Sequence, residues 1–143
     1  MGEHEVYTPG DHLVTFTLDS VRCGLLICYE VRFPSCGARW RCAERNRLPA
    51  RPVDGRAAVP LGNAHRRRAI ENQLFVVSCN ACGERDGTLY GRFFAHHRPA
   101  GRGLSPRRRG RGDRHRDLDL SSIAPLRARV PVFHDRRPEL YRL

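Results

Sequence analysis

At 143 residues the chain is long enough for one domain with a single core, but a 40% hydrophobic content, thinned by 10 prolines and 13 glycines, makes that core small. The net charge of +11 would ordinarily point to a polyanion, yet all 26 basic residues are arginine, and 18 of them lie in residues 35–68 and 92–116 against only Glu44, Asp54 and Asp113. The basic character therefore belongs to two stretches, and a membrane-spanning helix is excluded because no apolar run approaches the roughly eighteen residues it needs.

In chain order, residues 6–17 hold a Pro9-Gly10 turn and then an alternating run, Leu13-Val14-Thr15-Phe16-Thr17, which predicts a strand in a hairpin with the next run. That run, Val21-Arg22-Cys23-Gly24-Leu25-Leu26-Ile27-Cys28-Tyr29, becomes continuously apolar, as suits a central strand covered on both faces, with Cys28 near its C-terminal end. From Ser35 to Arg68 neither helical nor strand periodicity holds, so an irregular segment is expected. Arg68-Ala69-Ile70-Glu71-Asn72-Gln73 reads as the end of a helix. Leu74-Phe75-Val76-Val77-Ser78-Cys79-Asn80 reads as a second buried strand, followed by a turn at Cys82-Gly83-Glu84-Arg85-Asp86-Gly87.

Between Arg92 and Arg116, charge and glycine leave too little apolar surface to offset chain entropy, and disorder is expected. Asp117-Leu118-Asp119-Leu120 predicts a short strand, and Ser121-Ser122-Ile123-Ala124 a helix start with a hydroxyl cap. The reading is an α/β (α+β) chain with patterned blocks at 1–34, 68–91 and 117–143 and irregular ones at 35–67 and 92–116. Six cysteines behind an opening Gly2-Glu3-His4-Glu5, which has no signal-peptide form, predict a reducing cytoplasm rather than a disulfide framework.

The patterned blocks carry a resemblance. Gly24-Leu25-Leu26-Ile27-Cys28-Tyr29-Glu30-Val31-Arg32-Phe33-Pro34 resembles the nucleophile strand and elbow of the carbon-nitrogen hydrolase (nitrilase) superfamily, in its omega-amidase-like branch. Residues 2–11, 68–76 and 135–141 resemble three further parts of that family in the same order. The resemblance implies part of an α-β-β-α sandwich and hydrolysis of a small linear amide by a cysteine nucleophile through a thioester, without cofactor or metal. It implies Cys28 as nucleophile, the Tyr29 amide as oxyanion donor, and Glu3 as the second glutamate of the site, with Glu5 as the alternative register. Glu30 is read as supporting the site from behind, because neighbouring strand residues point to opposite faces. The intact family member is expected to be a homodimer.

The departures from the family matter equally. Its first glutamate and its lysine would lie upstream of Met1, and the chain contains no lysine. Arginine, a charged fork, does not replace a compact ammonium. The expectation is a C-terminal half without appreciable turnover. Arginine-, proline- and glycine-rich stretches flanked by clean matches further suggest compensated frameshifts in a GC-rich gene.

Blander readings compete with each of these. A lone buried cysteine is usually inert, and only the eleven surrounding residues reverse that for Cys28. Glu3 and Glu5 are by default solvated charges near a chain end. Cys79 and Cys82, with Cys36 and Cys42 or His96 and His97, make at most half a zinc pattern, since only one C-x-x-C is present. The arginine tract 98–116 lacks interleaved aromatics, so nonspecific polyanion binding is expected rather than base recognition. A basic nucleic-acid or anion-binding module without catalysis is the alternative function.

Overall fold

The computed structural model describes residues 3–37, 47–51, 58–79, 82–85, 88–91, 95–101 and 117–141. A short helix, α1 (Glu3–Val6), precedes β1 (Thr15–Leu18), and the two residues Asp19-Ser20 turn the chain back into β2 (Val21–Gly24), antiparallel with Leu18 opposite Val21. Asp19 supplies the positive φ of that turn, 50°, which aspartate tolerates better than most residues. The expected hairpin is therefore present. The apolar run continues past Leu25, whose N–H donates to the Val14 carbonyl at 3.1 Å, into β3 (Leu26–Ile27).

The remaining elements are β4 (Arg47–Arg51), α2 (Ala58–Asn72), β5 (Phe75–Ser78), β6 (Cys82–Arg85), β7 (Thr88–Gly91), β8 (Ala95–His97) and α3 (Ile123–Arg129). The main sheet runs β1-β2-β4-β5-β8, with β3 also alongside β4; β2, β3, β4 and β5 pair in parallel, and β1 and β8 pair antiparallel at the two edges. β6 and β7 form a separate antiparallel hairpin.

Register fixes which residues meet. Leu26 lies opposite Ala50, and Ala50 opposite Ser78, so Leu26 and Val76 share the face that α2 covers. There Leu26, Val31, Ala69, Leu74 and Val76 make the buried cluster, with Leu13, Cys36 and Ala64 packed at its margin. The stripe that α2 turns inward is His65, Arg68, Ala69 and Asn72, spaced as one helical face but mostly polar. Its end is a Schellman turn: Gln73, at φ 47°, donates to the Ile70 carbonyl, and Leu74 donates to that of Ala69.

The expectation of an irregular 35–67 is corrected where residues are described. β4 lies inside the main sheet, where backbone pairing on both sides compensates for a sequence with no apolar period, and α2 begins at Ala58. Residues 34–37 are also helical. In 92–116, Ala95–His97 is an edge strand rather than disordered, while 102–116 lies outside the described residues. The turn expected at Cys82-Gly83-Glu84-Arg85 is strand β6. The strand expected at 117–120 is absent: Leu120–Ser122 is a 3-10 turn capped by Asp119, whose carboxylate accepts from the Ser121 N–H at 3.1 Å and the Ser121 hydroxyl at 2.5 Å. A carboxylate two residues ahead of a free N–H is the stronger acceptor, so the cap is Asp119 and not a serine hydroxyl.

Candidate active site

β3 ends at Ile27, and its parallel pairing to β4 carries the chain toward the C-terminal edge of the sheet, where open parallel sheets usually hold their sites. Ile27 is still extended (φ −116°, ψ 121°), but Cys28 turns to φ 52° and opens a 3-10 turn, Cys28–Arg32. A left-handed non-glycine residue costs about 1–3 kcal/mol, and it persists only where its surroundings over-determine it. The pivot is Val31, wholly buried in the core beneath the turn. Around it Tyr29 meets Phe33 edge to face at 5.3 Å, and the Arg32 guanidinium sits 6.0 Å from the Tyr29 ring.

Cys28 is half-buried and is a thiol, as are Cys23, Cys36 and Cys79. The strand expected to run through Tyr29 ends at Ile27 instead: the φ of Cys28 draws it out of the ladder and places it at the bend. The reading of Glu30 changes. It is on a 3-10 turn, not on a strand, so strand alternation does not apply; its carboxylate reaches back to accept the Ile27 N–H at 2.6 Å. Tyr29 is the second residue of the turn, where a helical start leaves N–H groups without intrahelical acceptors. Glu3 heads α1, and Glu5 on the same helix is exposed.

What sequence reasoning missed is the strain at Cys28 and the bond that spans it. No glycine or asparagine marks the position, and a Glu three residues after Ile27 is only half of a capping signal, because Ile27 has no side-chain acceptor to complete the box.

The zinc reading finds no support in the register. His97 pairs with Val76 and faces α2, and His96 pairs with Val77 on the opposite face; Cys36 packs at the core margin. Among the described residues no group of three His, Cys, Asp or Glu side chains is placed to hold a metal ion, and Cys42 lies outside them. His65 and His97 meet under α2, where burial first and the nearby His97 second push the His65 pKa down to about 4. No helix among the described residues is long and apolar enough to cross a membrane.

A carbon-nitrogen hydrolase family profile matches residues 2–122. The chain is 32% identical over 147 aligned positions to 2-oxoglutaramate amidase from Bacillus subtilis (strain 168), covering 99% of this chain and 55% of that protein. It is 30% identical over 148 positions to an omega-amidase from Homo sapiens, covering 97% and 51% respectively. Among solved structures, a carbon-nitrogen hydrolase from Helicobacter pylori G27 superposes with a TM-score of 0.89 at 18% identity, over 97% of this chain and 54% of that one. The amidase from Nesterenkonia sp. AN1, in a glutamate-to-glutamine variant carrying the acetamide moiety of fluoroacetamide on its active-site cysteine, superposes with a TM-score of 0.75 at 23% identity, over 97% and 50%. The fold is that of the nitrilase superfamily, and the chain spans about half the length of the curated relatives it matches. These matches establish that the chain belongs to the carbon-nitrogen hydrolase family.

Proposed function

We propose that this chain supplies the nucleophile half of an amidase site for a small linear amide of the omega-amide class. One observation carries the reading: Cys28 stands on a left-handed elbow at the end of a parallel strand, a geometry that costs energy and is kept where a side chain must be presented. The Cys28 thiolate adds to the amide carbonyl, with the Tyr29 N–H toward the developing oxyanion. The C–N bond breaks as nitrogen takes a proton and leaves as ammonia, and a thioester remains. Water then adds to the thioester carbonyl, the S–C bond breaks, and the acid departs as the thiol regains its proton. Glu3 is the carboxylate we assign to ordering this site, with Glu5 as the alternative.

The chain has no lysine to place beside the oxyanion, so we expect this polypeptide alone to be alkylated at Cys28 without cleaving amides. The half of the fold that the relatives have and this chain does not span would supply the base and the ammonium, in a homodimer of the intact protein and in the cytoplasm. The arginine-rich stretches add a nonspecific affinity for polyanions that salt abolishes. We attribute their composition to frameshifted reading, which resequencing the encoding DNA tests.

The experiment is peptide mass spectrometry after incubation with fluoroacetamide, alongside ammonia release from 2-oxoglutaramate. The expected result is a carbamidomethyl group on Cys28, formed as the thiolate displaces fluoride, with no ammonia released. Labelling of exposed Cys79 with Cys28 untouched overturns the nucleophile assignment. Ammonia release that is lost in Cys28→Ala overturns the expected inactivity.

A further inference from the structure

We propose that Glu30 is the positioning residue of the elbow: by accepting the Ile27 N–H, its carboxylate holds the backbone in the turn that presents the Cys28 thiol. The inference rests on the reading of Cys28 as nucleophile for its purpose, but not for its geometry. The chain must pass from extended at Ile27 to left-handed at Cys28 within one residue, then enter a 3-10 turn. Two contacts fix the far side of this bend: the Phe33 N–H donates to the Glu30 carbonyl at 3.0 Å, and Val31 is buried. The near side is fixed by the Glu30 side chain, at 2.6 Å from the Ile27 nitrogen. Residue 30 is thereby bonded through its carbonyl to the exit of the turn and through its carboxylate to the entrance, with Cys28 between them.

The chemistry suits a carboxylate. A charged acceptor binds an N–H about twice as strongly as a neutral one, and three residues is the span at which a side chain reaches back to the N–H that opens a helical turn. An apolar side chain leaves the bend without its near restraint. Committed to a backbone N–H, this carboxylate acts on the reaction through the placement of Cys28 and not by carrying a proton.

Two readouts on the full chain test this, using Glu30→Ala and Glu30→Gln, the second of which keeps an acceptor oxygen at the same reach. The first is hydrogen exchange of the Ile27 amide: protection should fall by about tenfold or more in Glu30→Ala and stay within about threefold of the parent in Glu30→Gln. Protection of the β5 amides, Phe75–Ser78, should be unchanged in both, which separates a local release from global unfolding. The second is the pH profile of Cys28 alkylation by iodoacetamide, in which the thiolate attacks the methylene carbon and iodide leaves. Its high-pH plateau rate, where the thiol is fully ionised, should change in Glu30→Ala and be restored in Glu30→Gln. Unchanged Ile27 protection in Glu30→Ala overturns the proposal, as does a Glu30→Gln variant that behaves like the alanine one. A Cys28 that iodoacetamide does not label in the parent chain overturns the nucleophile reading instead, and the exchange result on Ile27 still decides the role of Glu30.

Discussion

The side-chain amide of Gln73 donates to the carbonyl of Val130, 57 residues further on, at 2.7 Å. Arg127 answers by donating to the Gln73 carbonyl at 3.2 Å, so the left-handed residue that ends α2 is also the clamp that seats the C-terminal helix. Replacement of Gln73 by alanine keeps the unfavourable φ and the Arg127 bond to the backbone carbonyl but removes the side-chain bond to Val130, for an expected loss of about 1–2 kcal/mol. Gln73→Gly removes the same bond but relieves the backbone, so it should cost less than Gln73→Ala, a ranking that urea denaturation of the two variants measures directly.

Cys28→Gly and Cys28→Ala should separate strain from chemistry. Both remove the thiol, but only glycine occupies φ 52° without penalty, so Cys28→Gly should be more stable than Cys28→Ala by about 1 kcal/mol. Equal denaturation midpoints would show that the elbow is not strained.

Gly37 has no room for a side chain: a β-carbon there would stand 2.5 Å from the Asn72 amide nitrogen, which itself donates to the Arg68 carbonyl at 3.0 Å and to Glu71 at 3.1 Å. Gly37→Ala should destabilise by about 1–3 kcal/mol, and shortening Asn72 to serine in the same chain should recover part of that loss. Additive losses in the double variant would refute the contact.

Stability should fall on acidification. His65 is depressed to about 4 in the folded chain against 6.5 unfolded, so between those values the unfolded state binds the proton and the folded state does not. The folded state therefore loses about 3 kcal/mol as pH drops from 6.5 to 4. Glu71 works in the opposite sense: burial raises its pKa, so it adds stability as the pH falls through that value and offsets the lower end of the window. In His65→Gln the slope of unfolding free energy between pH 7 and 5 should flatten, as read from urea midpoints at each pH.

The sheet face turned away from α2 is buried at Cys23 and Phe75 but exposes apolar side chains toward its β1 edge and at the end of β3. Phe16 (42% exposed) and Leu18 (52%) share that face of the β1–β2 hairpin, and Ile27 (50%) continues it along the next strand segment. A largely parallel sheet is ordinarily covered on both faces, so the purified chain should bind a hydrophobic dye and self-associate. Phe16→Thr with Leu18→Lys should lower both, as followed by dye fluorescence and light scattering; parent chain that stays monomeric at high concentration contradicts this.

The strands at β1, β2, β3 and β5 could be read in advance because their side chains follow the period of a pleated sheet or fill it completely. The same rule failed at α2, where the buried stripe holds His65, Arg68 and Asn72, and at β4, whose Arg47-Leu48-Pro49-Ala50-Arg51 has no strand signature. In both places, neighbouring elements hold a segment that its own residues do not specify, and a pattern search on that segment alone has nothing to find.

The sequence by itself determined the lineage and the strand that leads to Cys28, because those depend on local order of residues along the chain. Only the tertiary structure decided how Cys28 is held. Its left-handed φ and the Glu30 to Ile27 bond arise where a parallel strand ends above the buried Val31, and that energy balance is set by contacts among segments rather than by the preference of a cysteine for any one conformation.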